Sequence, residues 1–139
     1  MGSKPLKYAD KSAGQPELLD LFNTLKKILS DYAKGNFFVK TNQPGAFEIY
    51  YGKEVVHGGK KYPELLFASL LIQKGYLGFY FFPVYLHPAL LEKIKPDLKK
   101  TLKGKTCFHF KKEEQVNEKE LNALLKLGVK AWKAEGYLK

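Results

Sequence analysis

The stretch GYLGFYFFPVYLHP, residues 75–88, decides how this chain folds, and it carries six aromatic rings between Tyr76 and Tyr85. It is apolar at odd and even positions alike, whereas a strand with one face in water alternates apolar with polar residues. We therefore expect a central strand with a helix on one face and another part of the chain on the other. Pro83 has no backbone N–H to donate to a neighbouring strand, so regular pairing should end near it.

The residues before this stretch predict one helix and several strands. Apolar residues recur at three- and four-residue steps after Pro16, and Gly35 suits the left-handed turn that ends a helix, so we expect a helix over 16–34. The segments that follow are rich in aromatic and β-branched residues and are separated by turn residues. They predict strands in 36–41, 46–52 and, although a helix also fits its periodicity, 64–75, with a hairpin tip or loop in 54–62.

The residues after the aromatic stretch predict short helices, one more strand and a long helix. Two short helices are expected, one beginning at Pro88 and the other at Pro96, and Gly104 should end the second. Residues 105–112 alternate as a strand with Cys107 and His109 on one face and the phenylalanines on the other. The last helix, 117–136, begins with a capping-box-like pattern and has an apolar stripe in which Trp132 should be buried.

Together these elements predict an α+β fold, in which a single, mostly antiparallel β-sheet has the N- and C-terminal helices packed on it and short helices before the last strand. A chain of 139 residues fits one domain, here residues 15–139, after a flexible polar lead-in over residues 1–14. The longest apolar stretch is too short to span a membrane, and no signal-peptide core follows the N-terminus. We therefore expect a cytoplasmic protein.

The net charge of +10 is the most unusual global property of the chain, and all 24 basic residues are lysine. Such a charge attracts polyanions with an affinity that salt weakens. Lysine lacks the forked geometry with which arginine binds phosphate and guanine, so sequence-specific reading of nucleic acid is disfavoured. The densest run of lysines is either a weak polyanion or nucleic-acid site or a solubilising surface: Lys93, Lys95, Lys99, Lys100, Lys103 and Lys105.

Residues that carry catalysis or bind metals are sparse. The single cysteine and the three histidines lack the spacing of metal ligands. Cys107 and His109 share one strand face, which leaves three interpretations open. They are two metal ligands, a thiolate next to a base, or a half-buried pair with no chemical role. Glu48 is flanked by apolar residues and is either a general acid or base with a tuned pKa or an exposed residue on a strand face. We predict no catalytic residue, metal or cofactor, and interpret the chain as non-enzymatic by default.

The tyrosines of the aromatic stretch indicate a ligand site. A buried hydroxyl without a partner costs about 1–3 kcal/mol, which phenylalanine avoids, and the stretch uses both residue types. We expect Leu77, Phe79 and Phe81 to fill the core, while the tyrosine hydroxyls on the other face meet water, a polar side chain or a ligand. If helices seal those rings, the stretch is only core. The candidate site for a small molecule or protein partner comprises Tyr76, Tyr80 and Phe82 on one strand face, with Tyr85, Cys107 and His109.

Residues 71–110, LIQKGYLGFYFFPVYLHPALLEKIKPDLKKTLKGKTCFHF, resemble the YdhG-like family of small bacterial proteins, a domain of unknown function. The features that carry the resemblance are a Gly-Phe-Tyr strand at 78–80, a leucine-lysine helical stretch at 90–102, a Lys-Gly turn at 103–104 and an aromatic strand at 106–110. The resemblance implies a compact α+β sheet domain with terminal helices packed on the sheet.

Some relatives in that family are described as frataxin-like iron chaperones. Iron delivery of that kind uses an exposed row of carboxylates, and the first helix here offers only Glu17, Asp20 and Asp31 among its lysines. No iron ligands are therefore inferred. The sequence predicts a binding protein with a site beside the central aromatic strand, polyanion binding as the alternative, and iron handling as the third possibility.

Overall fold

A computed structural model of the protein describes residues 9–104 and 106–138. Within these residues the chain forms the predicted α+β fold, with a six-stranded antiparallel sheet and a separate two-stranded hairpin. The elements in chain order are α1 (Pro16–Ser30), β1 (Phe37–Gln43), β2 (Ala46–Tyr51), β3 (Val55–His57), β4 (Lys60–Tyr62), β5 (Leu65–Gln73), β6 (Tyr76–Phe81), α2 (Phe82–Leu86), a 3₁₀ helix (Pro88–Lys93), α3 (Pro96–Lys99), β7 (Leu102–Lys103), β8 (Cys107–Phe110), a second 3₁₀ helix (Glu113–Gln115) and α4 (Glu118–Ala134). None of the helices in the described ranges combines the length and apolar character needed to cross a bilayer.

The strands lie in the order β1-β2-β5-β6-β8-β7. β6 is paired on both sides, with Leu77 opposite Ile72 of β5 and Phe110 of β8. The central strand predicted from the aromatic stretch is therefore confirmed. Its regular pairing ends at Phe81, just before Pro83, because proline has no N–H for the ladder.

One hydrophobic core lies between the sheet and the long helices α1 and α4. The β6 residues Leu77, Phe79 and Phe81 point into it and are at most 1% exposed. Trp132 of α4 is fully buried, as predicted, and its ring centroid lies 5.4 Å from that of Phe67 in β5. The apolar stripe of α1 is buried in the same core: Leu18, Leu21, Phe22, Leu25, Ile28 and Leu29.

Several local expectations need correction. The face of β6 opposite the core was expected to be covered, yet Tyr76 and Tyr80 on that face remain partly exposed. The residue between them is Gly78, which counts as apolar in a pattern but buries no side chain. Phe82 does not share their face, because the strand has ended and Phe82 begins α2.

Two helix ends also differ from the expectation. α1 stops at Ser30, and the chain turns before it reaches Gly35. Gly104 does not close a helix: its φ of +74° belongs to the turn between β7 and β8. Residues 9–14 of the expected lead-in form no helix or strand, and the rest of that lead-in lies outside the described residues.

The two edges of the sheet are unlike each other. β7 forms one edge with only two residues, whereas β1 forms the other with seven. Phe38 and Val39 of β1 are 38% and 39% exposed. The register between β1 and β2 shifts between Val39 and Thr41, which marks a bulge in the edge strand.

Candidate functional site

A row of polar side chains crosses the sheet on the face opposite the long helices. It runs through directly paired residues of five strands: Thr41, Glu48, Ser69, Tyr80 and Cys107. Thr41 Oγ1 donates a hydrogen bond of 2.7 Å to Glu48 Oε1, and both side chains are buried. The sequence left open whether Glu48 is an exposed strand residue, and the structure shows that it is buried. The hydroxyl of Ser69, also buried, has no hydrogen-bond partner among the described residues.

Tyr80 lies back over Gly78 on this face. A Cβ at Gly78 would be 3.1 Å from Tyr80 Cε2 and 3.2 Å from Tyr80 Oη, closer than most real Cβ contacts. The two residues share a face because they are two apart in a strand. A glycine inside a strand often marks such a close approach. The Gly-Phe-Tyr sequence therefore has a physical meaning here: Gly78 leaves room, Phe79 enters the core, and Tyr80 covers the glycine.

Tyr80 lies directly opposite Cys107 in the pairing of β6 with β8. Burial raises the pKa of Tyr80 well above its ordinary value, and the interaction with the Cys107 side chain adds to this shift. Burial also raises the pKa of the Cys107 thiol, although the interaction with Tyr80 opposes it. Both groups therefore keep their protons near neutral pH. Because the thiolate is the reactive form of cysteine, Cys107 is poorly suited to act as a nucleophile.

Tyr76 and His109 form a stacked pair beside Tyr80. Their ring centroids are 4.0 Å apart and the ring planes differ by 18°. Burial lowers the pKa of His109, and the positive charges of Lys103 and Lys111 lower it further. This end of the sheet face thus combines an aromatic pair with a positive field from two lysines.

The six predicted site residues fall into two groups. Tyr76, Tyr80, Cys107 and His109 come together on the sheet face. Strand alternation predicted the common face within each strand, and the pairing of β6 with β8 brings the two strands together. The other two, Phe82 and Tyr85, stack on each other in α2 with their centroids 5.2 Å apart. Phe82 also contacts Tyr62 of the hairpin, and Tyr85 is 54% exposed. We do not include Phe82 and Tyr85 in the sheet-face site.

The predicted lysine cluster is divided among several surfaces. Lys93 and Lys95 line a cleft next to α4, whereas Lys100 lines another with Asp97 and Glu114. Lys99 lies on α3, Lys103 acts on His109, and Lys105 is outside the described residues. The run of lysines in the sequence thus does not line one groove.

A second cluster was missed by the sequence analysis. His57 of β3, His87 after α2 and Tyr137 after α4 are far apart in the chain, yet the ring centroids of the two histidines are 5.5 Å apart. His57 Nδ1 is hydrogen-bonded to the hydroxyl of Tyr137, and His87 Nδ1 lies 3.6 Å from a carboxylate oxygen of Glu135. Burial lowers the pKa of His87, and His57 acts in the same direction, whereas Glu135 raises it. Only tertiary packing brings these residues together.

This histidine cluster falls short of a metal centre. Across the described ranges, no group of three or more histidine, cysteine, aspartate or glutamate side chains could hold a metal ion. The contacts within the cluster join the β3–β4 hairpin to the residues that follow α4. Its evident role is to attach that hairpin to the rest of the fold.

Comparison with known proteins gives no match: neither a family model, nor a curated protein, nor a solved structure is similar to the chain. The resemblance of residues 71–110 to the YdhG-like family therefore stays a prediction.

Proposed function

We propose that this protein is a non-enzymatic binding domain, and that its sheet face binds a planar, negatively charged small molecule beside Tyr80. The observation that carries the proposal is the ring of Tyr80 lying over Gly78 next to the stacked pair of Tyr76 and His109. Membership of the YdhG-like family is part of the same proposal and is compatible with a binding role.

The aromatic geometry favours a planar ligand. Tyr80 is held in position by its close contact with Gly78 and by Cys107 on the paired strand, so little side-chain freedom is lost when a ligand binds. Stacking between aromatic groups contributes about 0.5–1.5 kcal/mol beyond the area it buries. A planar ligand that stacks on the ring of Tyr80, with its edge at the Tyr76–His109 pair, would use both the fixed position of Tyr80 and the stacking energy.

The charges favour a ligand with an anionic group. Burial lowers the pKa of His109 most, and the positive charges of Lys103 and Lys111 nearby lower it further. A phosphate or carboxylate of the ligand would be attracted to the same two lysines. A single-stranded polyanion is the second candidate, because lysines next to aromatic rings suit that ligand as well. Iron handling remains the third, and it has no support from the side chains around this face.

The experiment is an NMR titration of the amide signals with three probes. Adenosine monophosphate combines a planar aromatic base with a negative charge. Adenosine has only the planar base, and inorganic phosphate has only the negative charge. We expect the nucleotide to shift the signals of β6 and β8 at lower concentration than either of the others. Tyr80→Leu should abolish these shifts, and the matched control Tyr85→Leu should leave them unchanged, since Tyr85 lies on α2.

Two results would contradict the proposal. Shifts that map away from β6 and β8, or that persist unchanged in Tyr80→Leu, would show that the sheet face is not the site. A thymidine oligonucleotide that binds far more tightly than the mononucleotide, with a steep dependence on salt, would support the polyanion instead.

A further inference from the structure

Two apolar clefts flank α4 on the side of the molecule away from the sheet-face site, and we call them the α4 clefts. The first, of about 750 Å³, lies between α4 and the end of α1. Tyr32, Phe37 and Val129 contribute its apolar surface. Four lysines also line it: Lys34, Lys126, Lys130 and Lys133.

The second cleft, of about 590 Å³, lies between α4 and the segment that connects the first 3₁₀ helix to α3. Ile94, Ala123 and Leu127 contribute its apolar surface. Lys93 and Lys95 line it on one side. Lys126 and Lys130 line both clefts and therefore form a ridge between them.

We propose that the α4 clefts together bind an acidic, amphipathic peptide segment of a partner protein. Charge complementarity is the first argument. Six lysines line the two clefts, against only Asp31 and Glu92 as acidic residues. The ion pairs found in residues 9–104 and 106–138 join Lys40 to Glu64 and His87 to Glu135, so these six lysines have no carboxylate within 4 Å there.

The dimensions are the second argument. The lining residues of α4 extend from Asn122 to Lys133, which is roughly 16 Å at a rise of about 1.5 Å per residue. A peptide helix of about three turns has this length and presents apolar side chains every three or four residues. Such a helix would place apolar side chains in the clefts and carboxylates at the lysines, a recurring mode of peptide recognition.

The shape argues against two other anionic surfaces. The apolar residues of the clefts are at most partly exposed, whereas Lys126 and Lys130 are exposed, so the surface of a bilayer would meet the lysines first. Single-stranded nucleic acid binds where its bases can stack on aromatic rings. The first cleft offers Tyr32 and Phe37, but the apolar surface of the second cleft is aliphatic, so only one of the two clefts suits that ligand. An acidic peptide uses both the lysines and the aliphatic surface.

The test uses a synthetic peptide of about twelve residues with leucine and glutamate at helical spacing, labelled for fluorescence anisotropy. A scrambled peptide of the same composition is the first control. The protein variant Lys126→Glu/Lys130→Glu changes the ridge that both clefts share. Its matched control is Lys60→Glu/Lys61→Glu, an equal charge change at the exposed tip of the β3–β4 hairpin. Circular dichroism checks that each variant is folded. If the Lys126→Glu/Lys130→Glu variant is not folded, Lys126→Gln/Lys130→Gln takes its place.

We expect the ridge variant to raise the Kd of the patterned peptide by about tenfold, which corresponds to about 1.4 kcal/mol, and the hairpin control by less than about twofold. The scrambled peptide should bind more weakly to the unchanged protein. Equal losses in both variants, equal binding of the two peptides, or no binding of the patterned peptide would overturn the proposal. Tighter, ridge-dependent binding of anionic vesicles or of an oligonucleotide would also overturn it. None of these results depends on Tyr80, so this proposal and the sheet-face site stand or fall separately.

Discussion

Gly128 lies in the middle of α4, and its replacement by alanine tests how closely this helix packs on the sheet. A Cβ at this position would lie 2.9 Å from Phe81 Cε2 and 3.0 Å from Pro83 Cγ, and nearer still to Phe81 Cζ. Phe81 has little room to move, because it is fully buried and its ring centroid is 5.2 Å from that of Phe67. Gly128 is thus required by the contact between helix and strand.

The expected effect is the difference between two opposing contributions. In an exposed helix, replacing glycine by alanine stabilises the fold by roughly 0.8–1 kcal/mol, since alanine loses less backbone freedom on folding. An extra methyl group in a filled core costs about 1–3 kcal/mol, because buried side chains must leave their preferred rotamers. Since the added carbon would overlap Phe81, we expect the second contribution to dominate. Gly128→Ala should lower the free energy of unfolding by roughly 1–2 kcal/mol.

Urea unfolding followed by the fluorescence of Trp132, the single tryptophan, measures this loss. Phe81→Leu provides the control background, because a smaller side chain leaves room for the methyl group. In that background Gly128→Ala should cost much less, or even stabilise the fold, and the two substitutions should be coupled in a double-mutant cycle. If Gly128→Ala stabilises the unchanged protein, or has the same effect in both backgrounds, the packing argument is wrong.

Three further predictions concern the polar row and the histidine cluster. Thr41→Val should lower the free energy of unfolding by about 1.5–3 kcal/mol, because the buried Glu48 carboxylate loses its hydrogen bond. Ser69→Ala should leave stability unchanged or raise it by up to about 1 kcal/mol, because the hydroxyl it removes is buried without a partner. Stability should also fall as the pH drops below about 6.5, because burial lowers the pKa of folded His87, in spite of Glu135, so the unfolded chain binds more protons. His87→Gln should reduce this dependence on pH.

Urea unfolding at pH 8 checks the first two of these predictions, and a series from pH 8 to pH 5 checks the third. A Thr41→Val protein as stable as the unchanged one would mean that Glu48 has another partner. A loss of more than 1 kcal/mol in Ser69→Ala would mean that the hydroxyl is satisfied. An unchanged slope in His87→Gln would assign the pH dependence to other groups.

The periodicity of apolar residues predicts most of the helices and strands of this fold, and strand alternation predicted the shared faces of four of the six candidate site residues. Tyr76 and Tyr80, like Cys107 and His109, are two residues apart in strands, so their common face follows from the sequence. Phe82 was placed with them wrongly, because the chain leaves the strand one residue earlier and starts α2. The alternation rule holds only while the strand continues.

The features that the sequence did not predict depend on side-chain directions and on contacts between elements that are distant in the chain. The approach of Tyr80 to Gly78 is a matter of side-chain direction, which an apolar pattern does not contain. The pairing of His57 with His87 needs the hairpin to fold against the end of α2. The α4 clefts likewise exist only because α1 and the segment before α3 pack beside α4 without filling the space along it.

The unequal edges of the sheet bear on how the protein resists joining its own copies. A strand from a second molecule finds only two residues to pair with at β7, so that edge offers little to a growing aggregate. β1 is seven residues long and exposes Phe38 and Val39, so within residues 9–104 and 106–138 it is the edge that offers more to a second strand. The bulge between Val39 and Thr41 interrupts its row of backbone donors and acceptors and increases its twist. Resistance to edge-to-edge aggregation therefore depends on this one irregular step in β1, in addition to the repulsion between highly charged molecules.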